Sequence, residues 1–228
     1  MALQFTTTDR AAVNQGVKCL IYGKSGAGKT FLAKTAPTPI ILSAESGILS
    51  LRDVSMPMIV IKTVAELAEV HQWALNSAEA RYFETLYLDS ISEIGEVILA
   101  NAKAQVKDPR QAYGELIEKT LATIKAFRDL PGKNVVMAAK QEPIKDEMSG
   151  IVTYGPSMPG SKLGPQLPYL FDEVFRLAVN KTPQGVEYRF LQTRPDLQYD
   201  GKDRSGALDA IERPDLSYLF SKIHATGA

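Results

Sequence analysis

Gly23 Lys24 Ser25 Gly26 Ala27 Gly28 Lys29 Thr30 is the run of this 228-residue chain whose residue types and spacing point most specifically to a chemistry. It reads G-x-x-x-x-G-K-T, the pattern of a P-loop, and falls between the apolar run 17–22 and Phe31 Leu32 Ala33 Lys34, where a strand turns into a helix. Glycines at 23, 26 and 28 free the backbone to fold into a nest whose N–H groups converge on phosphate oxygens. The following helix N-terminus adds partial positive charge there. Lys29 reaches the β- and γ-phosphates, Thr30 sets its hydroxyl on Mg²⁺, and Phe31 ends the nucleotide-binding stretch. The competing reading is a glycine-rich turn that caps a helix and binds nothing; eight fitting positions in the right context weigh against it.

Two carboxylates stand at the ends of later apolar runs. Pro39 Ile40 Ile41 Leu42 Ser43 Ala44 has the length and composition of a strand buried in a parallel sheet, and it ends in Glu45, followed by Ser46 and Gly47. Beside a phosphate site, a carboxylate at the end of a central strand orients or deprotonates an attacking water; the plainer reading is a surface glutamate in a turn. Thr85 Leu86 Tyr87 Leu88 Asp89 Ser90 is the second run, and Asp89 fits a Walker B carboxylate that holds Mg²⁺ directly or through water. A helix cap ahead of Ile91 is compatible with that role. A further run, 134–139, ends in Lys140 and Gln141, which either sense the γ-phosphate or solvate the strand terminus.

Cations elsewhere are candidates of a different kind. Residues 142–168 hold five of the thirteen prolines and read as one long irregular segment, either functional or a lid or linker loop. Its Lys145, Tyr154 and Lys162 are candidate contacts to a nucleic-acid backbone or base, although Glu142, Asp146 and Glu147 exclude a basic patch. Lys202 and Arg204, in Lys202 Asp203 Arg204 Ser205 Gly206, sit on a loop suited to reach a phosphate held by a neighbouring subunit, or form a solvated turn.

The elements that must position these groups are legible in outline. The first helix ends near Ala36, ahead of Pro37 and Pro39. Residues 58–61 read as a strand, and Val64, Leu67, Ala68, His71, Ala74 and Leu75 mark an amphipathic helix. His71 and Trp73 belong to its packing rather than to a metal or stacking site. Helical patterns fill 91–106 and 111–130, broken by Pro109. Residues 173–179 and 186–191 alternate around Pro183 and Gly185, a β-hairpin signal, and Leu216, Leu219 and Phe220 mark a short last helix that frays after Ile223.

Bulk properties bound the reading. Twenty-six basic and twenty-six acidic residues cancel, so a polyanion-binding surface has to be a local patch. Composition is that of a soluble globular protein, with 45% hydrophobic and 23% charged residues. Cys19 is the single cysteine, read as a small buried side chain in the first strand, and it allows no internal disulfide. No run approaches the length of a membrane span and the N-terminal residues lack a signal-peptide core, so the expected location is the cytoplasm, that of the host cell if the chain is phage-encoded.

Taken in order, the motifs resemble the RecA-like branch of P-loop ATPases. Ile41 Leu42 Ser43 Ala44 Glu45 is similar to the strand that carries the catalytic glutamate there, Leu88 Asp89 Ser90 Ile91 to the Walker B strand, and Val136 Met137 Ala138 Ala139 Lys140 Gln141 to the strand that ends in a nucleotide-sensing glutamine. Lys202 Asp203 Arg204 Ser205 Gly206 resembles the lysine-x-arginine-x-glycine motif of bacterial RadA, whose basic residues act across a subunit interface. The compact core, the proline-rich run before Phe171 Asp172 Glu173 Val174, and Pro214 Asp215 Leu216 are similar to phage AAA-type nucleotide-binding proteins of the Sak-four group of recombinases. Ser43 and Lys140 depart from the RecA pattern, which has an aspartate and an asparagine there.

The expectation is an α/β, RecA-like P-loop NTPase core: a mostly parallel central sheet flanked by helices, with a C-terminal β-hairpin. Residues 1–16 are a lead-in, 17–223 one ATPase domain and 224–228 a tail. The resemblance implies ATP and Mg²⁺ as ligands and Lys29, Glu45, Thr30 and Asp89 as the catalytic and metal set. Gln141 is then the sensor, and Lys202 and Arg204 act in trans. The implied partners are single-stranded DNA, further copies in a ring or filament, and a single-strand binding protein, in phage recombination by annealing or strand exchange. The rivals are a nucleotide-gated interaction module in phage replication or packaging, and a nucleotide kinase, which the lack of arginine in 142–168 disfavours.

Overall fold

The computed structural model describes residues 16–45 and 49–225. The expected lead-in, apart from Gly16, the turn residues Ser46 and Gly47, and the last three residues of the expected tail lie outside them.

Strand β1 (Lys18–Gly23) is buried at every position, as are β4 (Thr85–Asp89) and the first six residues of β5 (Asn134–Lys145). Continuous apolar runs of this kind belong in the middle of a parallel sheet covered on both faces. The other strands are β2 (Pro39–Ser43), β3 (Met58–Val60), β6 (Val152–Ser157), β7 (Glu173–Lys181), β8 (Glu187–Gln192), β9 (Lys202–Asp203) and β10 (Ile211–Glu212). Their order is β10-β8-β7-β1-β5-β4-β2-β3, with β6 on β5 and β9 on β7. Pairing is parallel from β7 through β1, β5, β4 and β2 to β3, and antiparallel where β8, β10, β6 and β9 are added. The first strand therefore has β5 on one side and β7 on the other, and one strand, β5, separates it from the aspartate-bearing β4.

Alternation along β1 divides the core. Leu20 and Tyr22 face one cluster, with Leu42, Leu88 and Met137; Cys19 and Ile21 face another, with Ile41, Tyr87 and Val136. Helices α2 (Val64–Asn76), α3 (Ile91–Gln105) and α4 (Pro109–Arg128) cover the first face, while α1 (Lys29–Leu32) and α5 (Leu216–Ala225) cover the second. Cys19, His71 and Trp73 serve packing: Cys19 is fully buried, the His71 ring lies edge-on to Phe127, and Trp73 packs near Phe83. No helix among the described residues is long and apolar enough to cross a membrane.

Three local expectations change. Pro109 begins α4 instead of only breaking a helix: it occupies the first turn, where its missing N–H is not needed, behind the cap Asp108. The stretch 142–168 is not irregular throughout. β5 runs on to Lys145 and turns back as β6, with Gln141 opposite Pro156 and Pro143 opposite Tyr154. Proline is tolerated because this arm lies at an edge of the sheet, and Asp146 closes its turn by accepting from the Met148 and Ser149 amides. Finally, α5 continues past Ile223 to Ala225.

Candidate active site

Parallel strands deliver their carboxyl ends to one edge, and the register aligns them. Gly23 lies opposite Lys140, and Ser43 opposite Asp89. Loops leaving this edge surround a cleft of about 800 Å³ lined by the phosphate loop, Glu45, Asp89, Lys140, Gln141 and Arg189, among others. Open α/β sheets bind ligands at such a place.

The loop itself has the geometry its glycines predict. Gly26 (φ 77°) and Gly28 (φ 100°) hold left-handed conformations, and Gly28 is the residue from which α1 starts. A side chain at Gly23 would meet the Leu177 carbonyl oxygen at 2.5 Å, so glycine there is required by the close approach of β7. Tyr87 anchors the first turn of α1 from below, its hydroxyl donating to the Lys29 carbonyl at 2.6 Å. The Lys29 ammonium curls over the loop and donates to the carbonyls of Gly23 (2.9 Å) and Lys24 (3.1 Å). Burial lowers its pKa, opposed by the nearby Asp89 and Glu45 carboxylates.

Asp89 is 2% exposed and accepts a hydrogen bond from the Thr30 hydroxyl. Burial pushes its pKa up to about 6, with the Thr30 hydrogen bond working the other way. The plainer role for Asp89, a helix cap, belongs to its neighbour: Ser90 caps α3 and its oxygen accepts from the Glu93 amide. The same Ser90 hydroxyl donates to Glu45 Oε1 at 2.8 Å, and Ser43 donates to the Glu45 carbonyl. Glu45 lines the cleft, with one carboxylate oxygen held by Ser90.

Thr30 and Asp89 together fit a Mg²⁺ site. No group of three or more His, Cys, Asp or Glu among the described residues is arranged to hold a metal ion by itself, and Mg²⁺ bound with a nucleotide takes one or two protein ligands and completes its shell with phosphate and water. A hydroxyl already in contact with a carboxylate at the mouth of a phosphate nest meets that requirement.

Gln141 lines the cleft one position past the last parallel pair, and the adjacent Lys140 ammonium pairs with the Glu93 carboxylate. Lys202 and Arg204 are elsewhere. β9 pairs with β7 at Glu173 and Val174, next to the start of β1, which is the end of the sheet away from Gly23. Lys202 donates to the carbonyls of Pro168 and Phe171, and Arg204 pairs with Asp172 at 2.5 Å. The three candidate nucleic-acid contacts are dispersed. Lys145 is exposed at the end of β5, Lys162 is exposed in the turn after β6, and the half-buried Tyr154 stacks on Tyr199, with centroids 5.2 Å apart.

Two residues at the cleft escaped the sequence reading. Ser90 was visible only as part of the strand end, whereas its contact with Glu45 spans 45 positions. Arg189 looked like any residue of an alternating hairpin; its Nε donates to the Ala27 carbonyl at 3.1 Å, a contact spanning 162 positions.

A family model described as an AAA domain matches residues 15–205. Among solved structures, a KaiC-like protein from the hyperthermophilic archaeon Pyrococcus horikoshii is similar over 79% of each chain, at 14% identity and a TM-score of 0.44. No curated protein matches the chain.

Proposed function

The chain belongs to the AAA-domain family, and from that premise we propose that it is a Mg²⁺-dependent ATPase whose turnover is coupled to single-stranded DNA. The observation that carries the hydrolase reading is the pair of contacts at the mouth of the nest, Thr30 to Asp89 and Ser90 to Glu45. A loop that only bound phosphate would need neither.

Loop amides and the Lys29 ammonium hold the β- and γ-phosphates, Lys29 exchanging its two carbonyl partners for phosphate oxygens. Mg²⁺, when bound at Thr30 and Asp89, supplies charge neutralisation to the phosphate oxygens. Glu45, steadied by Ser90, orients a water toward the γ-phosphorus and takes up its proton. The new P–O bond forms as the bond to the β,γ-bridging oxygen breaks, releasing ADP and inorganic phosphate. Gln141, beside the γ-phosphate end of the cleft, donates to that group. Replacing Glu45 by Gln is expected to lower kcat by about 10² to 10⁴ with nucleotide binding retained. Turnover that survives unchanged removes Glu45 from this role; binding with no turnover in the unaltered protein points to a nucleotide-gated module instead.

The coupled work rests on the order of motifs shared with phage recombinases. Single-stranded DNA annealing or strand exchange in phage recombination is the proposed task, with Lys202 and Arg204 acting on nucleotide bound by a neighbouring copy. Their distance along the sheet from their own nest supports action between copies rather than within one. ATP hydrolysis measured across protein concentrations, with and without single-stranded DNA, tests both parts: specific activity should rise with each, and indifference to DNA removes the recombination reading.

A further inference from the structure

We propose that Arg189, carried by the C-terminal hairpin, binds the nucleoside end of the nucleotide, contacting the α-phosphate and the sugar-base part rather than the γ-phosphate. This assignment rests on the nucleotide reading above and adds the direction in which the ligand lies.

Strand order supplies the direction. The phosphate loop leaves the end of β1, which stands in the middle of the sheet. On one side, β5, β4 and the loop after β2 bring Gln141, Asp89 and Glu45, the groups that suit a metal ion, an attacking water and the reacting phosphate. On the other side, β7 and β8 bring Leu177 and Arg189, and all of these residues line the same continuous cleft. A triphosphate laid across the loop with its reacting end at Asp89 and Glu45 must direct its nucleoside toward β7 and β8. Leu177 of β7, with Phe31, Leu32 and Pro214, gives this cleft an apolar lining suited to a flat base.

Arg189 is set to close it. Its Nε is fixed on the Ala27 carbonyl at 3.1 Å, and a side chain built at Gly28 would meet that Nε at 3.3 Å, so the guanidinium lies directly against the last turn of the loop. Its other partner is Glu187, at 3.4 Å from Nη2, a long and half-exposed contact that leaves donors of the guanidinium for a ligand. The side chain is delivered by backbone pairing, with Arg189 opposite Val179, and β7 in turn pairs with β1. A planar guanidinium so held can hydrogen-bond a phosphate oxygen or lie against a base.

Binding of ATP, ADP and inorganic tripolyphosphate to the full chain and to the Arg189→Ala variant, by isothermal titration calorimetry, tests the assignment. Expected is a loss of about tenfold or more for both ATP and ADP, with a clearly smaller loss for tripolyphosphate, which keeps a phosphate at the α position but carries no sugar or base. Loss confined to ATP would mean a γ-phosphate contact and overturn the proposal. Equal loss for all three ligands would mean that Arg189 reaches no sugar or base atom, which also overturns the proposal, as does no loss at all. If the unaltered protein binds neither nucleotide, the nucleotide reading itself fails, an outcome distinct from these.

Discussion

Lys29 donates to two carbonyls of its own loop, which holds its positive charge over the nest. Lys29→Ala should therefore weaken ATP by at least about tenfold without unfolding the loop, as equilibrium dialysis and a thermal melt would show. Asp89 behaves oppositely, since it repels a bare triphosphate and attracts one carrying a metal. Asp89→Asn is expected to abolish most of the advantage that Mg²⁺ gives to nucleotide binding while leaving metal-free binding equal or tighter, measured as ATP affinity with Mg²⁺ and with EDTA. Ser90 touches no reacting atom and positions Glu45. Ser90→Ala should lower kcat by roughly tenfold with KM little changed, and should cost about 1 kcal/mol of stability because the α3 cap goes with it. A purely structural Ser90 would show the second effect without the first.

At the scale of elements, the junction of β7 and β9 has its own pH response. Glu173 is buried opposite Asp203, with Asp172 nearby and the Ser205 amide donating to it at 3.2 Å. Burial, then the Asp203 carboxylate, pushes its pKa up to about 8. A folded-state value above the unfolded one means stability that is fully present at low pH and lost as pH rises. The slope from this group is about 1.4 kcal/mol per pH unit between roughly pH 5 and pH 8. Urea midpoints should fall over that window, and Glu173→Gln should flatten the fall. Legibility differed among elements for physical reasons. Strands β1, β2 and β4 with their phosphate loop and carboxylates were readable because each signal is local, an apolar run ending in a particular residue. The β7–β8 hairpin was readable from alternation. The β5–β6 arm was not, because its prolines imitate a loop when the edge position that tolerates them is unknown. Arg189 and Ser90 owe their roles to contacts made by folding, and no spacing along the chain announces them.

For the whole molecule, the ends of the sheet differ in kind: one holds the nest, and the other holds Lys202 and Arg204 in internal bonds. If copies share sites, mixing Lys29→Ala with Arg204→Ala protein should restore part of the ATPase activity that each lacks alone; no restoration would mean a self-contained site. Lys202→Ala should also lower the melting temperature, since its ammonium satisfies the Pro168 and Phe171 carbonyls.

The placing of β1 between β5 and β7 has a consequence in time. Ribosomes add about 5 to 20 residues each second, and the partners of Lys18 and Cys19 begin only at Val135 and Glu173. The strand that ends in the phosphate loop is thus made early and waits on the order of ten seconds for its first neighbour and longer for its second. Until Glu173 and the residues after it emerge, one edge of a strand that is buried at every position in the fold stays open to other chains. A nascent chain halted before that point is the form in which this protein is expected to need a chaperone.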